Sequence, residues 1–437
     1  MKVEIIKSGI NGEGIGYIDK KPVFIPNALV GEVVEVTIKE KMGSYMIAQI
    51  EKILKKSPQR VTPFCECYRT CKACTLMHAN YQEQCRMKEE NLKQALRKYA
   101  NVNSKLVQNI LPSREEFYYR NSCKIPFKME KKKLVCGMYQ PNSNYFTPIT
   151  TCVIHEKEVE RVKKEILKIL NEEHLQSYDI HTKKGMRTLV IRHIQGKIQV
   201  TLVTGEDTLS DIVIQKIMQI EGVISLFQSI HTQKKSADVF GNKMILLAGE
   251  RYLDFSLFDV NLKLSPRSFF QLNTKSAYTL YDYVKSLVGK VDLLVECYCG
   301  IGGISFALKD QAKRIIGIES VKDAVINANM SAKENHLDHL QFICDDAAHK
   351  LEYISKKEKI DCLVVDPPRT GLDDNMIQTL LRSKIKKIIY ISCNPATLGK
   401  NLAQLNQRYK VEIIQPLDMF PQSAHVETVV MLTKVQK

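Results

Sequence analysis

Leu293-Leu294-Val295-Glu296-Cys297-Tyr298-Cys299-Gly300-Ile301-Gly302-Gly303 reads as a buried strand running into a glycine turn, with a helix after it. Glycines there let the backbone approach a ligand at the carboxyl end of a first strand. The next strand ends Ile316-Gly317-Ile318-Glu319, and an acid at that point is placed to accept hydrogen bonds from ribose hydroxyls. The nicotinamide pattern Gly-x-Gly-x-x-Gly is missing, because Gly300 and Gly302 are followed at once by Gly303. S-adenosylmethionine therefore fits better than NAD, while a turn that only packs strand against helix stays open as the plainer reading.

From about residue 265 onward, apolar runs at 315–318, 340–343, 362–365 and 387–392 alternate with helical segments. Such alternation describes a doubly wound α/β domain, and the runs 411–416 and 426–433 add two strands at one edge of its sheet. The third strand closes on Asp345-Asp346 and the fourth on Asp366-Pro367-Pro368-Arg369, both on the ligand side of such a sheet. Two prolines in a row remove backbone donors and stiffen the loop, which is unusual for plain core. Strand five ends Ile391-Ser392-Cys393-Asn394-Pro395, which puts a thiol at the carboxyl edge of the sheet just before a helix. A helix N-terminus there is expected to lower the thiol's pKa, although without context a cysteine is more often a small core residue.

Residues 1–57 alternate apolar and polar positions in short runs separated by Gly- or Pro-containing turns, the pattern of a small β-barrel. Gly12, Gly14 and Gly16 are read as turn glycines, since no strand–turn–helix pattern surrounds them. Barrels of this size commonly bind single-stranded nucleic acid, and Lys39, Lys41 and Tyr45 are candidates for that face. Residues 58–100 hold a cysteine-rich segment and an amphipathic linker helix at 81–99. Residues 101–262 mix strand-like runs, such as 187–193 and 197–204 joined at Gln195-Gly196, with a charged helix at 156–172, which describes an α+β middle domain.

Lys and Arg outnumber Asp and Glu by 64 to 48 in the 437 residues, a surplus of +16 that favours a polyanionic partner without excluding a merely solvated lysine-rich surface. No window approaches the roughly eighteen apolar residues of a spanning helix. The N-terminus lacks a secretory pattern, so no membrane association and a cytoplasmic location are expected. Nothing in the sequence points to an obligate protein partner. Thirteen cysteines are many for a compartment where thiols stay reduced, so some should bind metal or do chemistry.

The run from Cys393, with Ser268-Phe269-Phe270-Gln271-Leu272-Asn273, Asp366-Pro367-Pro368-Arg369 and His425-Val426-Glu427-Thr428, resembles the RNA uracil-5-methyltransferase family over nearly the whole chain. The resemblance implies a C-terminal Rossmann-like class I methyltransferase domain at 263–437. It also implies that the OB-like N-terminal barrel is a TRAM domain and that the central domain contacts RNA. It implies Cys393 as the nucleophile adding to carbon 6 of uracil and Glu427 as the base that removes the proton from carbon 5. On its own, a glutamate is more often a surface ion-pair partner, but Val426 and Val429 around this one suit a raised pKa. Gln271, Tyr298, Gly303, Glu319, Asp346 and Asp366 are implied contacts of S-adenosylmethionine, and Asp366 also of the target base.

Cys65, Cys71 and Cys74 form Cys-x5-Cys-x2-Cys, which by spacing alone suits zinc or iron–sulfur equally once a fourth ligand is found. The resemblance implies a [4Fe-4S] cluster with Cys152 as that ligand. This sequence departs from the family's common Cys-Gly-Gly-Cys by Lys72 and Ala73, and offers Cys67 as an extra thiol. No redox step enters methylation, so the cluster is expected to order the segment. Barrel plus cluster cysteines resembles the members acting on 23S rRNA, the expected target. A tRNA enzyme, or an inactive RNA-binding assembly factor, is the alternative. Cys85, Cys123, Cys136, Cys344 and Cys362 read as packing residues.

Overall fold

The structure, a computed structural model, describes residues 1–140, 143–234, 236 and 238–435. The chain divides into two compact units, one made of Met1–Glu116, Tyr278–Cys297 and Ala347–Lys437, the other of Phe117–Ala277 and Tyr298–Asp346.

The first unit begins with a six-stranded sheet from Lys2–Glu4 to Met46–Lys55. Its two outermost strands, Lys2–Glu4 and Lys7–Ser8, are successive pieces of one chain run, so the sheet closes on itself as a barrel. Closure needs glycine at Gly16, where an added Cβ would lie 2.3 Å from Val3 and 2.5 Å from the Glu4 carbonyl. Val3, Ile5, Val23, Ile25, Val34, Val36 and Ala48 fill the interior from alternating positions of the strands. Fully burying each of the larger of these contributes about 1.5–3 kcal/mol.

The helix Tyr81–Ala100 follows, started by Asn80, whose side chain accepts from the Glu83 amide at 2.9 Å. Its apolar stripe places Met87, Leu92 and Leu96 inside. The rest of this unit is α/β. Strands Val291–Cys297, Cys362–Val365 and Lys387–Ser392 lie parallel in that order. Glu427–Lys434 runs antiparallel beside Lys387–Ser392, and Tyr409–Leu417 antiparallel beside Glu427–Lys434. The parallel strands read as unbroken apolar runs because both of their faces are covered: Leu294, Val295, Leu363, Val364, Ile388 and Ile389 are all fully buried.

The second unit contains a seven-stranded sheet whose order runs from Lys243–Gly249 through Val223–Ile230, Lys197–Thr204, Met186–Ile194, Ser122–Glu130 and Lys133–Tyr139 to Phe146–Pro148. Gln195 and Gly196 both take positive φ, 51° and 81°, and make the two-residue turn that pairs Ile194 with Lys197. Helices Lys157–Glu172 and Asp211–Met218 belong to this unit, the first with Val159, Val162, Ile166 and Leu170 fully buried. Strands Ala312–Glu319 and Leu340–Cys344 pair in parallel, with helices Gly303–Ala307 and Lys322–Glu334 between and around them. Among the described residues, no helix is long and apolar enough to cross a membrane.

Candidate active site

In the first unit, strand Lys387–Ser392 delivers Cys393 to its carboxyl end, and Asn394 caps the helix Pro395–Leu405 that follows. The cap side chain accepts from the Ala396 amide at 3.1 Å. Strand Cys362–Val365 delivers Asp366 to the same edge, and strand Glu427–Lys434 begins there with Glu427, beside Thr428, which pairs with Ser392. Three neighbouring strands therefore bring a thiol and two carboxylates together.

Their environment reverses one expectation. Burial pushes the half-buried Cys393 thiol up to about 11, and the charges of Glu427 and Asp366 add to the rise, against the opposing pull of Arg369. The helix N-terminus does not win, because two anions and desolvation act on the same sulfur. Burial also raises Asp366 to about 7. Glu427 is only 5% exposed and is held well above the ordinary carboxylate range by burial and by Asp366, with Arg369 working the other way. Two interacting acids of this kind titrate as a pair, each opposing the ionisation of the other.

The loops that carry these groups are tied together by backbone recognition. Asn394 Nδ2 and Thr397 Oγ1 both donate to the Arg369 carbonyl, at 3.1 and 3.2 Å. Asn401, from the next turn of that helix, accepts from the Leu372 amide at 2.9 Å and the Tyr390 hydroxyl at 2.8 Å, and donates to the Leu372 carbonyl at 3.0 Å. Gly371, at φ 78°, leaves room for this, since a Cβ there would sit 2.5 Å from Asn401 Oδ1. Arg369 in turn lies against both ring nitrogens of His425, at 3.1 and 2.8 Å. Sequence reasoning gave no role to Tyr281, a buried phenol whose pKa is raised by burial and by the charges of Asp366, Glu296 and Glu427. Nothing in its local sequence marks it, because all three acids reach it from other elements.

The second unit holds the other implied contacts. Tyr298 takes a left-handed φ of 64°, and Gly300 and Gly302 follow at 54° and 83°. At Gly302 a Cβ would lie 2.6 Å from the Phe342 ring, which makes glycine obligatory for packing. At Gly300 a Cβ would meet nothing within 4 Å, so open space borders the backbone of the turn. Glu319, ending Ala312–Glu319, accepts from the Gly300 amide at 3.0 Å and from Val321 N and Ser320 Oγ at 2.9 and 3.1 Å. A carboxylate has about four acceptor positions, so roughly one remains, and a second ribose hydroxyl would displace Ser320. Gly303 is buried at the start of its short helix, and Asp346 is exposed, its amide donating to Asp345 Oδ1 at 2.8 Å. Gln271 is half-buried, with its carbonyl accepting from Asn121 Nδ2 at 2.9 Å. These features suit a nucleoside-bearing ligand at the carboxyl ends of the strands.

The cysteines correct a second expectation. Cys65, Cys71, Cys74 and Cys152 are half-buried, and among the described residues no group of three or more His, Cys, Asp or Glu side chains is placed to hold a metal ion. A [4Fe-4S] cluster needs converging thiolates. The arrangement of Cys65, Cys71, Cys74 and Cys152 contradicts the implied cluster, both as a cofactor and as part of the family resemblance. Cys152 instead hydrogen-bonds His155, whose Nδ1 meets Glu160 Oε1 at 2.8 Å. Burial opposes ionisation of that thiol, but His155 outweighs it and holds it below its usual range. Order in the 58–80 segment has another source: Tyr68 donates to Asn27 Oδ1 at 2.8 Å, and Arg60 pairs with the fully buried Glu32 through contacts of 2.5 and 2.7 Å. Of the cysteines read as packing residues, Cys123, Cys136 and Cys362 are buried, Cys85 is half-buried and Cys344 is exposed.

The sequence pattern of the family described as tRNA (uracil-5-)-methyltransferase matches residues 80–435, and that of the TRAM domain matches residues 1–50. An RNA methyltransferase of Bacillus cereus is 35% identical over 446 aligned positions, covering 99% of this chain and 96% of its own. Another, of Lactobacillus johnsonii, is 36% identical over 441, covering 98% and 96%. Among solved structures, Pyrococcus abyssi tRNA (uracil-54, C5)-methyltransferase in complex with S-adenosyl-L-homocysteine is similar at TM-score 0.78 and 25% identity, over 99% of this chain and 100% of that one. The fold is that of an α/β class I S-adenosylmethionine methyltransferase with a TRAM-like β-rich N-terminal region and a mixed α+β core. This chain belongs to the tRNA (uracil-5-)-methyltransferase family, and is an S-adenosylmethionine-dependent RNA (uracil-C5) methyltransferase.

Proposed function

We propose that the chain methylates carbon 5 of a uridine in transfer RNA, with Cys393 as nucleophile and Glu427 as base. The observation that carries the roles is the grouping of Cys393, Glu427, Asp366 and Arg369, close enough for each to shift the ionisation of another. Carbon 5 of uracil is a poor nucleophile until a thiolate adds at carbon 6 and makes carbon 5 an enolate carbon. Bound S-adenosylmethionine supplies an activated methyl group on a sulfonium. Gln271, Tyr298, Gly303, Glu319, Asp346 and Asp366 would hold it, and Asp366 would also meet the base. Glu427 then takes the proton left on carbon 5, and the carbon–sulfur bond to Cys393 breaks to release the thiolate.

A base works only when ionised, and burial together with Asp366 holds Glu427 well above the ordinary carboxylate range. Turnover is therefore expected to rise with pH, with the rise lying above the ordinary carboxylate range. Removing the cation in Arg369→Ala is expected to move the rise to higher pH, because Arg369 is what holds Glu427 down. A pH–rate profile of the two proteins checks both the limb and its direction of movement.

Transfer RNA is favoured over 23S rRNA for two reasons. The family description and the Pyrococcus abyssi enzyme both name tRNA. The rRNA expectation rested on the barrel together with the cluster, and the cluster reading has fallen. Likeness to the Pyrococcus abyssi enzyme runs over 99% of this chain, so the barrel does not separate the two targets. Intact Cys393 and Glu427 speak against an inactive assembly factor. Incubating the protein with unmodified tRNA and with 23S rRNA transcripts, followed by nucleoside analysis, is expected to give 5-methyluridine in tRNA. Product in rRNA alone would reverse the target and leave the chemistry standing.

A further inference from the structure

The segment 418–426 does more than join strands Tyr409–Leu417 and Glu427–Lys434: it delivers His425-Val426-Glu427 to the thiol's edge of the sheet. It is also fastened with unusual cost. Lys88 and Asp418 pair at 2.6 Å with both side chains fully buried, and Lys88 donates as well to the Phe420 carbonyl at 3.1 Å. Removing one partner of a buried ion pair leaves an uncompensated charge and is strongly destabilising, so the pair ties the start of this loop to the linker helix.

Gln422 is the more telling residue. It is 1% exposed and sits at φ 71°, in the left-handed region that residues other than glycine rarely adopt. Such a conformation persists only where the surroundings over-determine it, which is common at functional sites. Here the Gln422 amide donates to Gln84 Oε1 at 2.8 Å, while Gln84 Nε2 donates back to Gln422 Oε1 at 3.0 Å. The Gln422 carbonyl accepts from the Leu76 amide at 2.9 Å. Two residues on, the Ala424 amide donates to Thr75 Oγ1 at 3.1 Å.

The barrel closes the same chain of contacts. A Cβ added to Gly12 would lie 2.6 Å from Leu76 and 3.4 Å from Ala424, so the barrel's turn presses against both. Asn91, on the linker helix with Gln84, donates to the Gly9 carbonyl and accepts from Ser8 Oγ, each at 3.0 Å.

We propose that Gln422 is a positioning residue for Glu427, through which the barrel and the linker helix fix the loop that carries the base. The inference rests on the reading of Glu427 as the base. It implies a step-specific defect: if Glu427 is displaced, thiolate addition and methyl transfer go on, but the carbon 5 proton stays and the protein remains bonded to RNA through carbon 6.

The test uses the full chain with an unmodified tRNA transcript and S-adenosylmethionine, comparing Gln84→Ala, Gln422→Gly and Glu427→Gln. Gln422→Gly removes the side chain and relieves the left-handed strain, so it decides the matter if Gln84→Ala does not fold. Both variants are expected to lower kcat by roughly 10- to 100-fold, with KM for RNA nearly unchanged. Both are also expected to accumulate a denaturant-stable protein–RNA complex, as Glu427→Gln does. Unchanged turnover, or complex and turnover falling in parallel, overturns the proposal. If Glu427→Gln itself releases product normally, the base assignment fails and takes the proposal with it, a result distinct from failure of the Gln422 variants alone.

Discussion

Cys393→Ala is expected to abolish methyl transfer, cutting turnover by on the order of 10⁴-fold or more, the scale of losing a nucleophile on which every later step depends. Without addition at carbon 6, carbon 5 never gains the electron density to accept a methyl group. The cost falls on chemistry and not on folding. Cys393 is only half-buried, and its backbone is held by the Ser392 pairing with Thr428 and by the Asn394 cap. Removing a thiol that burial and two carboxylates keep protonated also relieves no buried charge. Methyl transfer to RNA, measured beside a melting curve, separates the two effects. A variant that keeps substantial turnover would remove Cys393 from the reaction.

Glu427→Gln is expected to lower turnover by about 10²- to 10⁴-fold, the usual worth of a positioned general base. The substitution keeps shape and replaces a buried acid with a neutral amide, so the fold should not suffer. Unlike Cys393→Ala, this variant should pass through addition and methyl transfer and stop with the protein bonded to methylated RNA. The two losses of activity are thus distinguishable by gel: one leaves no covalent complex, the other leaves an abundant one. A Glu427→Gln protein that is slow but never bonded to RNA would assign the proton to another group, with Asp366, whose charge acts on Glu427, the next candidate.

Much of this site can be read along the chain because its parts stand at strand ends. Periodic apolar runs fix the strands, and whatever follows each run at the carboxyl edge faces the ligand side, which is how Glu319, Asp366 and Cys393 stand out. The Gly300–Gly302 turn is legible for the same reason, since positive φ values of 54° and 83° leave a glycine signature. What is not legible is what depends on convergence. The thiol's pKa is raised first by burial and then by Glu427 and Asp366, which come from neighbouring strands, and local reasoning from the helix N-terminus gives the wrong sign. Tyr281 becomes interesting only when Asp366, Glu296 and Glu427 gather around it. Gln422 has no sequence mark at all, because a left-handed glutamine is invisible until its partners Gln84 and Leu76 are in place. The cysteine spacing misleads in the opposite direction: Cys-x5-Cys-x2-Cys suggests convergence, but the folded segment is ordered by Tyr68, Arg60 and Glu32 instead.

The most direct test of the central claim is covalent capture on RNA containing 5-fluorouridine. Fluorine at carbon 5 cannot leave as a proton does, so an enzyme that adds through carbon 6 and transfers its methyl group should stall there. Incubation with S-adenosylmethionine and fluorinated tRNA is expected to give a denaturant-stable complex whose RNA-bearing peptide contains Cys393. A complex on another cysteine, or none under conditions where the RNA binds, would contradict the mechanism.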